Sequence, residues 1–330
     1  MSPPFSEIAS MVGGQVFSTV PVPEADFSGK TVIVTGANSG LGFEACRHLV
    51  RLNVSHLVLA CRDVNKATTA KEHILAAVPN NNTTISIQHL DLASFSSVQT
   101  FAEHCSTTLP RLDALIANAG IEVKTFALAE GYEQTLTVNV LSTFLLGLLL
   151  LPKLQQTGAE HGVETYFSVV GSAIQIFAPH EQLQQDDLFK ALSMEENADM
   201  GNRYYLSKLM DMLCVRALAA RTTHLDRVII NCVSPGFCDT GLYSQFQPPW
   251  HTKVLLKVIG ITAEQGSRCL VKGVLGGWES HGSFMSEGVV KRGGSWVESE
   301  EGVEVGERVW KDMMGVLEGV RPGVGKGLQK

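Results

Sequence analysis

The chain has 330 residues, a formal net charge of −7 and 45% hydrophobic side chains. The negative balance argues against a nucleic-acid partner, for which a basic stripe is expected, and the apolar fraction is that of an ordinary soluble globule. Seven cysteines without C-x-x-C spacing and ten histidines without an H-E-x-x-H cluster predict no metal site, with thiols kept reduced in a reducing compartment.

Residues 1 to 27 carry Pro3, Pro4, Pro21 and Pro23 with little periodicity and read as an N-terminal extension. No basic segment precedes an apolar stretch, so no secretory signal is expected and the cytoplasm is the expected location. Residues 28 to 330 show no composition break and are expected to form one α/β domain. Its first strand, Lys30 to Thr35, is a short β-branched run. It enters Gly36-Ala37-Asn38-Ser39-Gly40-Leu41-Gly42, and a helical pattern with Phe43, Cys46, Leu49 and Val50 on one side follows. Strand, glycine turn and helix are what a dinucleotide-phosphate loop needs: glycines let the backbone approach the pyrophosphate, and the helix N-terminus offers N–H groups and a positive dipole end. The spacing here is G-x-x-x-G-x-G rather than G-x-G-x-x-G.

The second strand, His56 to Ala60, ends at Cys61-Arg62-Asp63. A free ribose 2′-hydroxyl prefers a carboxylate at this position and a 2′-phosphate prefers arginine. Arg62 therefore favours NADPH over NADH, while Asp63 falls one step further, where the next helix starts, and Lys66 reads as part of its solvated face. Helices are expected over Val64 to Val78 and Ser96 to Thr107, and strands over Thr84 to His89 and Leu112 to Ala117. A long helix is expected from Gly131 to Leu154; its apolar run, Leu141 to Leu151, is ended by Pro152 and is too short to span a bilayer. The strand Thr165 to Val170 precedes a Gln-rich, acidic insert at 175–201, then a helix to about Arg221 and a strand from Arg227 to Val233. Residues 241–262, with Tyr243, Phe246, Trp250 and Ile259, are expected to cover an apolar pocket. A helix from Ala263 to Leu275, a short strand near Ser283 to Ser286 and an amphipathic helix from Val303 to Leu317 complete the chain. The alternation predicts a Rossmann-type doubly wound parallel sheet with helices on both faces and ligands beyond the strand C-terminal ends.

Tyr204 and Lys208 lie four residues apart on one expected helix and so share a face. A nearby lysine cation favours the phenolate, so Lys208 is expected to lower the phenol's pKa from its usual value of about 10.

These segments together resemble the short-chain dehydrogenase/reductase family. Thr35 and Gly36 to Gly42 resemble its T-G-x-x-x-G-x-G loop, and Asn118-Ala119-Gly120 its N-A-G motif. Asn139 matches the helix asparagine, Ser172 the serine, Tyr204 and Lys208 the Y-x-x-x-K pair, and Pro235-Gly236 with Thr240 the P-G-x-x-x-T segment. The flanking segments are similar to those of fungal members from secondary-metabolite pathways. The resemblance implies that Asp91 and Leu92 sit near the adenine and that Asn118 to Gly120 line the adenosine side. It further implies that Asn139 anchors a water that links Lys208 to solvent, and that Ser172 binds the substrate oxygen. Tyr204 would pass the proton and Lys208 hold the nicotinamide ribose. Ser168 is a rival serine but lies within its strand rather than at the exit. In the family, the long helix and the Tyr204 helix often form a face through which copies of the chain pair.

The expected activity is NADP(H)-dependent reduction of a small-molecule carbonyl. Oxidation of a secondary alcohol by the same residues stays open, as does a non-redox or purely dinucleotide-binding role on the same fold.

Overall fold

The computed structural model describes residues 3–79, 81–238 and 256–328. Thr240 and residues 241–255 of the expected cover lie outside the described residues.

Eight short segments pair into one sheet: β1 (Thr31–Thr35), β2 (His56–Cys61), β3 (Thr84–His89), β4 (Ala114–Ala117), β5 (Thr165–Val170), β6 (Val228–Ser234), β7 (Phe284–Ser286) and β8 (Val289–Lys291). Their order is β8-β7-β6-β5-β4-β1-β2-β3. Every pairing is parallel except β7 with β8. The order reverses between β1 and β4, and that crevice is where open α/β sheets bind ligands. β1 is buried along its whole length. Its alternation feeds both faces: Ile33 joins one core, Val32 and Val34 the other.

The helices are α1 (Phe5–Phe17), α2 (Gly40–Arg51), α3 (Val64–Ala77), α4 (Phe95–Thr108), α5 (Gln134–His161), α6 (Arg203–Ala219), α7 (Ala263–Gly273) and α8 (Glu300–Val320). Leu49, Ile74 and Leu270 bring α2, α3 and α7 to one core, and Phe101, Phe144, Leu213 and Trp310 bring α4, α5, α6 and α8 to the other. The doubly wound expectation is met.

Three features go beyond the sequence reading. α5 continues past its expected end at Leu154, with Pro152 inside it, to the left-handed cap Gly162, φ 64°. Burial carries it past the proline: the apolar window of this helix is 89% buried inside the fold. The N-terminal extension holds a helix, α1, which hydrophobic periodicity does not announce. The strand near Ser283 is one arm of a hairpin whose turn holds Glu287 (φ 56°) and Gly288 (φ 76°), left-handed positions that glycine tolerates best.

The acidic insert is folded onto the body. Its 3₁₀ turns Ala173–Phe177 and His180–Gln184 and the short helix Leu188–Ala191 bury Leu183, Leu188, Phe189 and Leu192. Beneath it, the first residue of α6, Arg203, pairs with Glu133 at 3.6 Å, and both side chains are fully buried. Arg203 also donates to the carbonyls of Leu192 (3.0 Å) and Asn197 (3.4 Å), so it closes the insert against α6. Removing one partner of a buried pair leaves the other charge uncompensated, so Arg203→Met is expected to lose about 3 kcal/mol of stability. Chemical denaturation checks this; a change below about 1 kcal/mol, the value of an exposed pair, would show that the pair does not hold the insert.

Candidate active site

A cleft of about 1090 Å³ opens at the C-terminal ends of the parallel strands. It lies at the upper end of ligand-pocket sizes. The glycine turn between β1 and α2 forms its floor. Gly36 (φ 64°) and Gly40 (φ 55°) take left-handed conformations. At Gly42 a Cβ would lie 2.5 Å from the Gly36 carbonyl oxygen and 2.6 Å from Asn118 Nδ2. Ser39, the N-cap of α2, makes no side-chain cap hydrogen bond, so its hydroxyl does not occupy the amides at the helix start.

Thr35 joins this turn to the N-A-G segment. Its hydroxyl accepts from the Ala119 N–H at 2.8 Å, and its carbonyl accepts from Asn118 Nδ2 at 2.9 Å. At the far end, Arg62 borders the cleft on the exposed exit of β2. Asp63 turns away as the N-cap of α3, accepting from the Lys66 N–H at 3.0 Å. The helix start is where the sequence reading puts Asp63. Asp91 and Leu92 also line this end, and the Asp91 carboxylate accepts from the Ala93 N–H at 2.9 Å.

Ser172, Tyr204 and Lys208 line the same cleft, Ser172 at the end of β5, three strands along the sheet from Arg62. Ser172 follows β5 and N-caps the 3₁₀ turn, its hydroxyl facing the Ile174 N–H at 3.4 Å. Ser168 is fully buried inside the sheet and does not reach the cleft. α6 carries Tyr204 and Lys208 on one face, with Lys208 Nζ 5.7 Å from the Tyr204 ring centre.

Lys208 is nearly buried, and its ammonium donates to the Val170 carbonyl at 2.8 Å and to Asp211 Oδ2 at 3.0 Å. Burial opposes the charge, yet Asp211 and Tyr204 hold its pKa above the usual lysine value. Burial pushes Asp211's carboxyl up to about 6 against the pull of Lys208. The sequence reading passes over Asp211, although its position one turn beyond Lys208 signals the pair.

The Tyr204 phenol corrects the expectation. Lys208 does lower its pKa, but burial is the larger effect and raises it above the ordinary value, helped by Glu122 and Asp211. The phenol is therefore protonated at neutral pH.

Asn139 lies beneath the cleft rather than in its wall, on a π-helical turn of α5 (Thr137–Leu141). Its Oδ1 accepts from the Ile121 N–H at 2.8 Å, and its Nδ2 donates to the Ile121 carbonyl and to Ser207 Oγ, both at 3.0 Å. The amide thus ties the segment after Gly120 to α6. Gly120 makes room for this: a Cβ there would lie 3.2 Å from Asn139 Oδ1 and 3.7 Å from Lys208 Nζ. Pro235 and Gly236, after β6, line the cleft, as do Met11, Val12 and Gln15 of α1, which the sequence does not single out.

The sheet order, the glycine turn and the cleft at the strand ends define a Rossmann-type α/β fold. The family model "short chain dehydrogenase" matches residues 30–165. The chain is 36% identical over 325 residues to the short-chain dehydrogenase anuD of Penicillium roqueforti, covering 96% of this chain and 84% of the relative. It is 38% identical over 320 residues to the short chain dehydrogenase/reductase dmxR8 of Cryptosporiopsis sp., covering 94% of this chain and 97% of that one. An NADPH-bound carbonyl reductase from chicken fatty liver has the same fold, with a TM-score of 0.61 at 20% identity over 84% of this chain and 98% of that chain. This chain belongs to the short-chain dehydrogenase/reductase family and is an oxidoreductase.

The turn geometry makes Gly42 a sharp test of the floor. Gly42→Ala is expected to force the turn away from Asn118, lowering stability by about 1–3 kcal/mol and weakening dinucleotide binding in a fluorescence titration. Unchanged stability and binding would show that the turn relaxes freely.

Proposed function

We propose that this enzyme uses NADP(H) to reduce the carbonyl group of an apolar small molecule, an intermediate of fungal secondary metabolism, with Tyr204 as proton donor. The observation that carries the reading is that Arg62 lines the same cleft as Ser172, Tyr204 and Lys208, three strands along the sheet from Ser172. The crowded glycines at 36 and 42 and the uncapped start of α2 fit a pyrophosphate. Gly36, Asn38, Ser39, Gly40, Leu41 and Gly42 would cradle it, and Arg62 would grip a 2′-phosphate. Asp91, Leu92 and Asn118 to Gly120 would hold the adenosine, and Lys208 with Pro235, Gly236 and Thr240 the nicotinamide end.

When bound, NADPH supplies the hydride. The protein's part is the proton and the orientation. Tyr204 gives its phenolic proton to the substrate oxygen, and Ser172 donates a hydrogen bond to that oxygen as charge develops on it. Lys208 then stabilises the tyrosinate left behind. At neutral pH the phenol holds the proton that reduction requires it to give. Seven buried free thiols are in keeping with a reducing compartment, and we place the enzyme in the cytoplasm.

Fluorescence titration with NADPH and NADH side by side tests the cofactor. NADPH is expected to bind more tightly by at least about tenfold, and Arg62→Ala to erase the difference, since hydrogen bonds to a charged group contribute about 1.5–3 kcal/mol. Tyr204→Phe is expected to lower ketone turnover by about 10²–10⁴-fold with NADPH binding unchanged. Equal binding of the two nucleotides would overturn the cofactor choice, and full activity of Tyr204→Phe the proton donor.

A further inference from the structure

The N-terminal helix is held where no part of the nucleotide-binding machinery requires it. The side chain of Gln15 makes three hydrogen bonds to backbone more than two hundred residues away. Its Oε1 accepts from the Phe237 N–H at 2.9 Å, and its Nε2 donates to the carbonyls of Phe237 (3.1 Å) and Ile259 (2.7 Å). Phe237 and Ile259 stand on either side of residues 239–255, and their segments also meet directly: the Ile261 N–H donates to the Phe237 carbonyl at 3.0 Å. Gly236 (φ 83°) leaves room for the clamp, since a Cβ there would lie 2.9 Å from Gln15 Oε1. The two ends of α1 are tied to the β7–β8 turn and to the segment that follows it. Ser18 Oγ donates to Glu287 at 2.8 Å, and Glu7 accepts from the Ser295 N–H at 2.6 Å.

This docking turns Met11 and Val12 into the cleft, at the end that also holds Ile174, Phe177, Tyr205 and Ile259. We infer that α1 is a wall of the substrate pocket, seated by Gln15 as a positioning residue, and that this wall selects extended apolar ketones, such as fused-ring ones, over small ones. The side chains of Met11, Val12, Ile174, Phe177 and Ile259 are apolar and line the same cleft as Ser172 and Tyr204. A substrate reaching from those groups to α1 buries ring surface, at roughly 25 cal/mol for each Å² removed from water. A small ketone stays near Tyr204 and gains nothing from it. Met11, with three flexible bonds, suits a wall that moulds to a ring system. The choice of ketones as substrates rests on the carbonyl-reductase reading above; the position of the wall does not.

Two full-length variants and one labelling measurement test this. With NADPH as the cosubstrate, Met11→Trp and Gln15→Ala are each expected to raise KM for 2-tetralone by about tenfold, the loss of one or two buried methylenes' worth of contact. The same variants should leave kcat/KM for 2,3-butanedione and the Kd of NADPH within about twofold. For a readout independent of turnover, Met11→Cys is labelled with a maleimide in the presence of NADP⁺, with and without 2-naphthol. The native cysteines are all buried, so the unmodified protein sets the background. Slowing by 2-naphthol of at least about fivefold, abolished when Gln15→Ala is added, supports the wall. A labelling rate that 2-naphthol does not change, or a KM for 2-tetralone unmoved in both variants, overturns it. If the unmodified enzyme reduces neither ketone, the reductive reading fails, and the labelling still decides whether α1 lines the site.

Discussion

A buried ammonium has to be surrounded by oxygen, and the candidate site is arranged around that requirement at Lys208. Taking a cation out of water costs several kcal/mol, which the structure offsets with the Val170 carbonyl and the Asp211 carboxylate. The first of these bonds fixes α6 against the end of β5. Ser172 lies two residues beyond that carbonyl and Tyr204 one turn before the lysine, so one contact sets the spacing of the proposed proton donor and the proposed oxygen binder. α6 cannot slide along the sheet without breaking that bond, although the Asp211 carboxylate, on the same helix, would move with the lysine.

Around this contact the neighbouring motifs act as spacers rather than as separate features. Asn139 spends both ends of its amide on Ile121 and Ser207, which draws the N-A-G segment toward α6. Gly120 allows that approach by lacking a side chain. Thr35 then connects the same segment to the glycine turn. The path from the proposed phosphate floor to the proposed proton donor therefore runs from Thr35 through the chain after β4 to Asn139, Ser207 and the Tyr204 carbonyl, hydrogen bonds alternating with short stretches of backbone. Such a run resists small displacements, and displacement of reacting groups is expensive in rate.

What is legible in the sequence is local. The β-branched run, the glycine turn and the amphipathic α2 announce themselves within a dozen residues, and Tyr204 with Lys208 needs only the helical period. Arg62 and Asp63 are separable because a strand end and a helix cap demand different residues. Tertiary effects are not legible. α1 leaves Phe5, Val12, Val16 and Phe17 largely exposed, so no apolar stripe marks it, and its anchors are polar bonds to distant backbone. α5 runs on past Leu154 because packing between the sheet and α4 carries it beyond Pro152. The direction of the Tyr204 shift is hidden because spacing shows the lysine and not the depth of burial, and burial outweighs the lysine.

The central claim is that burial keeps the Tyr204 phenol protonated against the pull of Lys208, with Glu122 and Asp211 adding to the push. The chain has five tyrosines, so ζ-carbon-labelled tyrosine gives few signals, and Tyr204→Phe assigns the one that matters. The direct measurement is a pH titration of that signal by NMR in the unmodified protein and in Asp211→Asn. The account predicts that Tyr204 titrates above the ordinary tyrosine value of about 10, and that removing the Asp211 charge, which pushes the phenol up, moves the midpoint down. A Tyr204 already ionised at neutral pH, or a midpoint indifferent to Asp211, would contradict it.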